Sequence, residues 1–403
     1  MDKIVIVMPA WNEAENIKKM IEVLIKEEFP EIEADMNLLI VDNHSLDGTG
    51  KIVTEASKKY NNVHIIQQDK PGLGWAYVRG MQYAMDTLKA DAILEMDADF
   101  QHPPRFVKPM VDAYLSGAEY AIGSRYVKGG SVPKEWAMSR KAVSFFGNLF
   151  IRLVLIKPGI HDLTTGFRLT KVSGVLDKID LTNLMELNRF AYKVDLLYQC
   201  IKNSKKTVEV PLEFAPRTKE KSKFNPKEMI STFKVAIILG IKDKMRFIKF
   251  GTVGFIGYLV NAITLELFSR SAITSFLAQE FYFVRGTALA LVSEPSAWAA
   301  ALSTEMAIIS NFILNNLWTF SEVRITKPLL LILKFLQFNL TSLGAVVIQF
   351  SVIGGAVVLF GDTRLVRQVA LIGGMPLVLS FNYVMYNVFI WKTWKLPWAK
   401  KSS

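Results

Sequence analysis

From residue 246 onward the chain is dominated by apolar stretches long enough to cross a bilayer, which removes most architectures from its second part. Hydrocarbon offers no hydrogen-bond partners, so a spanning segment satisfies its backbone internally, as a helix or in a closed barrel. Stretches containing residues 250–265, 297–320, 329–350 and 366–391 predict four transmembrane helices, and the apolar run 281–292 belongs to the second span or to a re-entrant piece. Charge is unevenly spread. Residues 246–403 hold 13 Lys and Arg against 6 Asp and Glu, whereas residues 1–245 hold 35 against 31. The sparse basic residues gather at span ends: Lys242, Lys244, Arg246 and Lys249 before the first, Arg324 and Lys327 between the second and third, Lys392, Lys395, Lys400 and Lys401 after the fourth. Positive flanks mark the cytoplasmic side, so both ends and the soluble part are expected there, with a lipid bilayer as partner and no nucleic acid. Cys200 is the one cysteine, which excludes an internal disulfide and suits a reducing compartment. The opening run 1–8 is broken at Pro9 and Asn12 and reads as a strand, with no secretory leader.

The soluble part repeats strand, polar turn, helix, the rhythm of a parallel α/β sheet. Ile4 to Met8 precedes Pro9-Ala10-Trp11-Asn12-Glu13, where Asn12 is placed to cap a helix through Ile17, Met20 and Leu24. Leu38 to Val41 precedes Asp42-Asn43-His44-Ser45-Leu46-Asp47-Gly48-Thr49, and Val63 to Gln67 precedes Lys70-Pro71-Gly72-Leu73-Gly74. The fourth strand runs into Glu95-Met96-Asp97-Ala98-Asp99-Phe100-Gln101. Two carboxylates one residue apart, with an amide two further on, are oxygen ligands for Mg²⁺ or Mn²⁺, which keep shell positions for substrate phosphate. Ligands of open α/β sheets gather at strand carboxyl ends, where all four polar clusters fall. Taken singly, Asn12, Ser45 and Asp47 read as helix caps and Gly72 and Gly74 as turn glycines; together the clusters describe a nucleotide-sugar site.

These motifs, with Gly123-Ser124-Arg125-Tyr126, resemble the signature series of glycosyltransferase family 2. Gly129-Gly130, Trp136, Arg140-Lys141, Ser144, Asn148 and the run Asp162-Leu163-Thr164-Thr165-Gly166-Phe167-Arg168 resemble its dolichyl-phosphate mannosyltransferase branch. The resemblance covers about residues 1–225 and implies a GT-A (Rossmann-like) fold, a nucleoside-diphosphate sugar donor and inversion at the anomeric carbon. It implies that Pro9, Trp11, Glu13, Asp42, Lys70, Gly74, Asp97 and Ala98 bind the nucleotide sugar, and that Asp97, Asp99 and Gln101 hold the metal. Trp11 stands where the family usually has Tyr, and Asn43 replaces a second acid found in many members.

A lipid phosphate is already ionised, so it attacks without a strong general base and needs cations to hold it. Arg125, Arg140, Ser144, Arg217 and Lys223 are the acceptor-phosphate candidates, because guanidinium groups stay charged and bind phosphate bidentately. Asp99, Arg125 and Gln101 form the catalytic set. The loop 217–223 is basic and is expected to close over substrate. The apolar run 142–156 and the stripe Met229, Phe233, Ala236, Ile237 and Ile241, opposed by Lys227, Lys234 and Lys242, are expected at the membrane interface. The expected organisation is a catalytic domain over 1–225, an amphipathic linker over 226–245 and an all-α transmembrane domain of four helices over 246–403. That last region resembles the GtrA-like membrane family. It carries an internal echo: Lys249-Phe250 matches Lys334-Phe335, and the run Asn311 to Trp318 matches Asn382 to Phe389. Intramembrane Glu305, Asn311, Asn315 and Asn382 are expected to pair inside the bundle.

The expected activity is metal-dependent transfer of mannose from GDP-mannose to dolichyl or another polyprenyl phosphate, giving dolichyl β-D-mannosyl phosphate. The alternatives are UDP-glucose as donor, a processive polysaccharide synthase, disfavoured by the lack of a QxxRW motif, and a non-enzymatic lipid-linked sugar flippase, which the intact DxDxQ disfavours.

Overall fold

The structure, a computed structural model, describes residues 1–69, 72–216, 226–285, 293–361 and 363–394. The chain divides into two compact units, Met1–Lys242 and Asp243–Ser403.

In the first unit the strands β1 (Lys3–Ala10), β2 (Asp35–Asp42), β3 (Val63–Gln67), β4 (Ala92–Glu95), β5 (Tyr120–Ser124), β6 (Arg168–Lys171) and β7 (Thr207–Pro211) form one sheet in the order β3-β2-β1-β4-β6-β5-β7. β1 pairs parallel with β2 and β4, and β2 with β3, so the expected parallel half is present. β6 enters antiparallel to both β4 and β5, a reversal the sequence did not foreshadow. Alternate residues serve opposite faces. Val5, Val7, Leu39, Val41 and Ile93 pack with α3 (Leu73–Asp86) and α6 (Tyr192–Asn203), while Ile4, Ile6, Met8, Leu38 and Leu94 pack with α1 (Ala14–Val23) and α4 (Val107–Leu115). A sheet covered on both sides needs near-continuous apolar strands, which is why β1 and β2 read as they do.

Asn12 does not cap α1. It lies one residue too early, at φ +56°, and its side-chain oxygen accepts from the Leu46 N–H; Glu13 is the N-cap. Asp47 reaches across instead and accepts from the Ala14 N–H at 2.9 Å. Helix α5 (Met138–Leu155) buries Asn148, Ile151 and Leu155 and leaves Phe145, Phe146, Leu149, Phe150 and Leu153 exposed. On the early turns of α7 (Pro226–Ser269) the expected stripe is rotated by about one residue of the helical wheel: Val235, Ala236 and Leu239 fill the core, whereas Ile237 and Ile241 are exposed.

The second unit continues α7 and adds α8 (Ala272–Glu280), α9 (Pro295–Leu314), α10 (Pro328–Phe360) and α11 (Arg364–Met385). Among the described residues, four helices are long and apolar enough to cross a membrane: Pro226–Ser269, Pro295–Thr319, Pro328–Phe360 and Arg364–Ile390. α8 was not anticipated, and residues 286–292 of the expected span or re-entrant piece lie outside the described residues.

The sequence echo has a spatial counterpart. α9 and α11 each run into one π-helical turn, Asn315–Thr319 and Tyr386–Ile390, which are 71 residues apart. The residues that follow, Phe320 and Trp391, stack face to face, with centroids 4.2 Å apart and planes 5° from parallel. Phe250 packs on Tyr383 at 5.3 Å as Phe335 packs on Phe312 at 5.4 Å, so each helical pair contributes the ring that the other receives. Asn316 clamps the connecting loop: its side chain donates to the Ile325 carbonyl at 3.0 Å and accepts from the Ile325 N–H at 2.8 Å. The expected pairing of intramembrane polar groups forms only in part. Glu305 accepts from Asn339 at 3.0 Å, and the side-chain oxygens of Asn311, Asn315 and Asn382 meet no hydrogen-bond partner among the described residues. Phe312, Phe320, Phe338, Tyr386 and Trp391 form the aromatic core of this unit, from which the Trp391 N–H donates to Asn316 Oδ1 at 3.2 Å.

Candidate active site

The loops after β1 and β2 are stapled together. The Asn12 N–H donates to Ser45 Oγ and the Glu13 N–H to Thr49 Oγ1, both at 2.9 Å. This leaves Trp11 66 % exposed at the rim, beside Pro9 at the end of β1, as a ring face on which a base can stack. Asp42, expected to contact the base, is only 2 % exposed. It accepts from the Ser45 hydroxyl at 2.6 Å and from Gln67 at 3.2 Å, so its carboxylate orders the rim from beneath.

β4 stops at Glu95, two residues before the first aspartate of the motif. Asp97 is held on its inner side: Tyr77 donates to Oδ1 at 2.7 Å, and Lys193 Nζ lies 3.8 Å from the same oxygen. Its N–H donates to His102 Nδ1 at 3.1 Å. Burial pushes the His102 pKa down to about 4, so the ring is a neutral acceptor there. Asp99 is buried with Ala98 and accepts from the Gln101 N–H at 3.1 Å, and Phe100 takes φ +62° to make that tight turn. Asp97, Asp99 and Gln101 are thus brought together on one turn. Among the described residues no three His, Cys, Asp or Glu side chains form a cage. Two carboxylates and an amide make an all-oxygen donor set with shell positions left over, which fits Mg²⁺ or Mn²⁺ bound together with a diphosphate.

Arg125 is committed elsewhere than expected. Its Nε and Nη2 donate to the two oxygens of Asp162 at 2.7 and 2.8 Å, and Nη2 also donates to Thr164 Oγ1 at 2.8 Å. Both side chains are nearly inaccessible, 8 % and 0 % exposed. Burial alone would raise the Asp162 pKa, but the Arg125 guanidinium and the N–H groups of Arg125 and Thr164 hold it below the ordinary carboxylate range. The pair fixes the 162–167 turn and so reaches the acceptor side through Thr164. Asn148 secures the same turn from α5, donating to Thr164 Oγ1 at 3.0 Å and accepting from the Leu163 N–H at 2.8 Å.

Thr164 lines a cavity of about 350 Å³ together with Arg140, Ser144, Phe190, Met229 and Phe233. Arg140 lies 3.8 Å over the Trp136 ring, and the Ser144 hydroxyl accepts from Tyr126 at 2.6 Å. Glu228 and Thr232 also line it, the Glu228 carboxylate accepting from Arg189 at 3.3 Å and from the Phe190 N–H at 3.0 Å; a polar head with mainly apolar walls suits an amphiphile. Lys70, Arg217 and Lys223 lie outside the described residues, as does the 217–223 loop. Gly74 is no turn glycine. It stands in the first turn of α3, and a Cβ there would fall 2.5 Å from the Leu187 carbonyl oxygen.

Sequence reasoning passed over Glu95, Tyr77, His102 and Lys193. Glu95 and Lys193 are fully buried, and burial raises the Glu95 pKa against the pull of Arg168 and Lys193. A signal existed: Tyr192-Lys193-Val194-Asp195-Leu196-Leu197 sets a lysine where a buried helix begins.

A family model described as glycosyl transferase family 2 matches residues 5–176, and one described as GtrA/DPMS, transmembrane domain, matches residues 249–391. The chain is 29 % identical over 403 residues to the dolichol-phosphate mannosyltransferase of Pyrococcus furiosus, covering 97 % of this chain and all of that one. It is 35 % identical over 234 residues to the polyprenol monophosphomannose synthase of Mycolicibacterium smegmatis, covering 57 % of this chain and 84 % of the relative. It is 31 % identical over 224 residues to the undecaprenyl-phosphate mannosyltransferase of Micrococcus luteus, covering 55 % and 88 %.

Proposed function

The chain belongs to glycosyl transferase family 2, and from that premise we propose that it transfers mannose, with inversion, from GDP-mannose to the phosphate of a long polyprenol such as dolichol. The observation that carries the reading is the cavity headed by Arg140, Ser144 and Thr164 and walled by Phe190, Met229 and Phe233. A phosphate monoester on a prenyl chain meets both demands of that slot, a cation with hydroxyls at one end and mainly apolar surface along the rest, where the one carboxylate, Glu228, is already engaged by Arg189. The exposed apolar face of α5 supports an acceptor delivered from a bilayer surface, and positive flanks on the spans support the cytoplasmic side.

Trp11 stacks on the base, with Pro9 and Glu13 beside it, and Asp42 keeps the Ser45 loop in place. Asp97, Asp99 and Gln101 would hold Mg²⁺ or Mn²⁺, which when bound supplies positive charge where the diphosphate departs. Arg140 and Ser144 hold the acceptor phosphate in line, and Arg217 and Lys223 are the further cations proposed for it. An oxygen of that ionised phosphate forms the new bond to the anomeric carbon while the bond from that carbon to the diphosphate oxygen breaks, its electron pair leaving with GDP; no proton has to move. Arg125 acts at one remove, through the Asp162 turn that presents Thr164.

The test is transfer of labelled sugar to dolichyl phosphate from GDP-mannose, UDP-glucose and UDP-N-acetylglucosamine, with and without Mn²⁺, by the native chain and by Asp99→Ala. Metal-dependent transfer from GDP-mannose, abolished in the variant, is expected. Preference for UDP-glucose would replace the donor and keep the mechanism; no transfer from any donor would overturn the reading in favour of a flippase module.

A further inference from the structure

Lys193 occupies a position that packing alone would give to an apolar residue. Its side chain is 0 % exposed, and its ammonium has no hydrogen-bond partner among the described residues. It stands on the first turn of α6, where the helix dipole disfavours a cation. Burying an ammonium is costly unless a negative group is close by. The rings of Tyr77 and Phe190, at 4.6 and 5.4 Å, give it weak support, and the Lys193 carbonyl is taken by Arg168 Nη1 at 2.6 Å. Gly166 makes the space for it: a Cβ there would fall 2.3 Å from Nζ. The acid it faces is Asp97, through Oδ1, the same oxygen that Tyr77 fastens.

We propose that Lys193 is a positioning residue that serves as the resident counter-cation of Asp97, competing with the divalent ion for that carboxylate. Tyr77 fixes the rotation of the carboxylate and Lys193 balances its charge from the core side, both through Oδ1. The ammonium thereby lowers the intrinsic affinity for the ion, and the diphosphate, arriving with its own negative charge, is needed to bind it tightly. Metal binding is in this way made dependent on donor.

The inference rests on the metal reading of the Asp97 turn, and its test separates the two. Binding of Mn²⁺ alone is measured by the paramagnetic resonance of free Mn²⁺, on the full chain in detergent, with neither donor nor lipid present. The proteins are native, Lys193→Met and Gly166→Ala. The methionine variant is expected to bind Mn²⁺ about tenfold more tightly, equal to about 1.4 kcal/mol, and to lose most of the further tightening that GDP confers on the native chain. Gly166→Ala keeps the charge but displaces it from Asp97, so it shifts affinity the same way even if the methionine variant fails to fold. A merely structural lysine gives unchanged or weaker binding in both variants, which overturns the proposal. Native protein that binds no Mn²⁺, with or without GDP, overturns the metal reading and this proposal with it.

Discussion

The two units hold an ordered loop in opposite ways. In the catalytic unit the 162–167 turn is held by charges bonded to one another: Asp162 accepts from Arg125 and from the N–H groups of the turn it organises, and the pair is closed to water. In the membrane unit the 320–325 loop is held by an amide beside stacked rings: Asn316 clamps the Ile325 backbone and accepts from the Trp391 N–H, while Asn311, Asn315 and Asn382 each keep an oxygen without a hydrogen-bond partner among the described residues. The reason lies in the alternatives open to each region. A loop at a strand end competes with water for its hydrogen bonds, so an ion pair closed to solvent is what makes it rigid; the 320–325 loop is shielded by the Phe320 and Trp391 rings, and a single amide with aromatic packing suffices.

The contrast can be broken most forcefully at Asp162. Asp162→Ala strands a buried guanidinium, and a loss of about 3–5 kcal/mol is expected in thermal unfolding followed by tryptophan fluorescence. A loss below about 1 kcal/mol would mean that the pair is no better than a surface bridge. Its pH dependence sharpens the point. The folded pKa of Asp162 is depressed, so its contribution is present above the ordinary aspartate value and disappears only as pH falls through the lower folded value. The difference between native and Asp162→Asn should therefore be flat from neutral pH down to the ordinary aspartate range and shrink below it.

Asn316→Leu removes the clamp and leaves the buried Ile325 N–H and carbonyl unpaired, for an expected cost of about 1–3 kcal/mol. Denaturation in mixed micelles reads it, and an effect near zero would show that the 320–325 loop is held by its rings alone. The Phe320–Trp391 stack is worth less. A double-mutant cycle with leucine at both positions should give a coupling of about 1 kcal/mol, and no coupling would make the two rings independent fillers. The smallest signal concerns Cys200, buried at 0 % exposure with its thiol pKa pushed up by burial. Iodoacetamide should leave it unmodified at neutral pH until the catalytic unit unfolds, whereas prompt stoichiometric labelling would show that unit opening locally.

Much of this was legible in the sequence, for physical reasons that also mark where legibility ends. The strands β1 to β3 were readable because a sheet covered on both faces demands long apolar runs, and the spans because hydrocarbon demands still longer ones. The strand β6 was hidden: Arg168-Leu169-Thr170-Lys171 is four residues with a charge at each end, and only its neighbours make it a strand. Asp42 and Arg125 carried the right motifs but the wrong exposure, since nothing local reveals that Gln67 waits 25 residues on or Asp162 37 residues on. Lys193 was passed over because a lone lysine in an apolar helix reads as a solvated face until the space made by Gly166 is seen. The echo in the membrane unit was visible as recurring asparagines and aromatics, but its matched π turns were not, because they come from helix geometry and not from residue type.

The stack of Phe320 on Trp391 carries a consequence for how such a unit can vary. Where two identical subunits meet across a two-fold axis, a residue on that axis faces its own copy, and any substitution is made twice at once. Here both halves belong to one polypeptide, so one side of the contact can change while the other stays as it is. The seam already shows that freedom, with a benzyl ring laid flat against an indole whose N–H reaches past it to Asn316 at 3.2 Å. The symmetry of this unit is therefore a starting point from which its two halves can specialise.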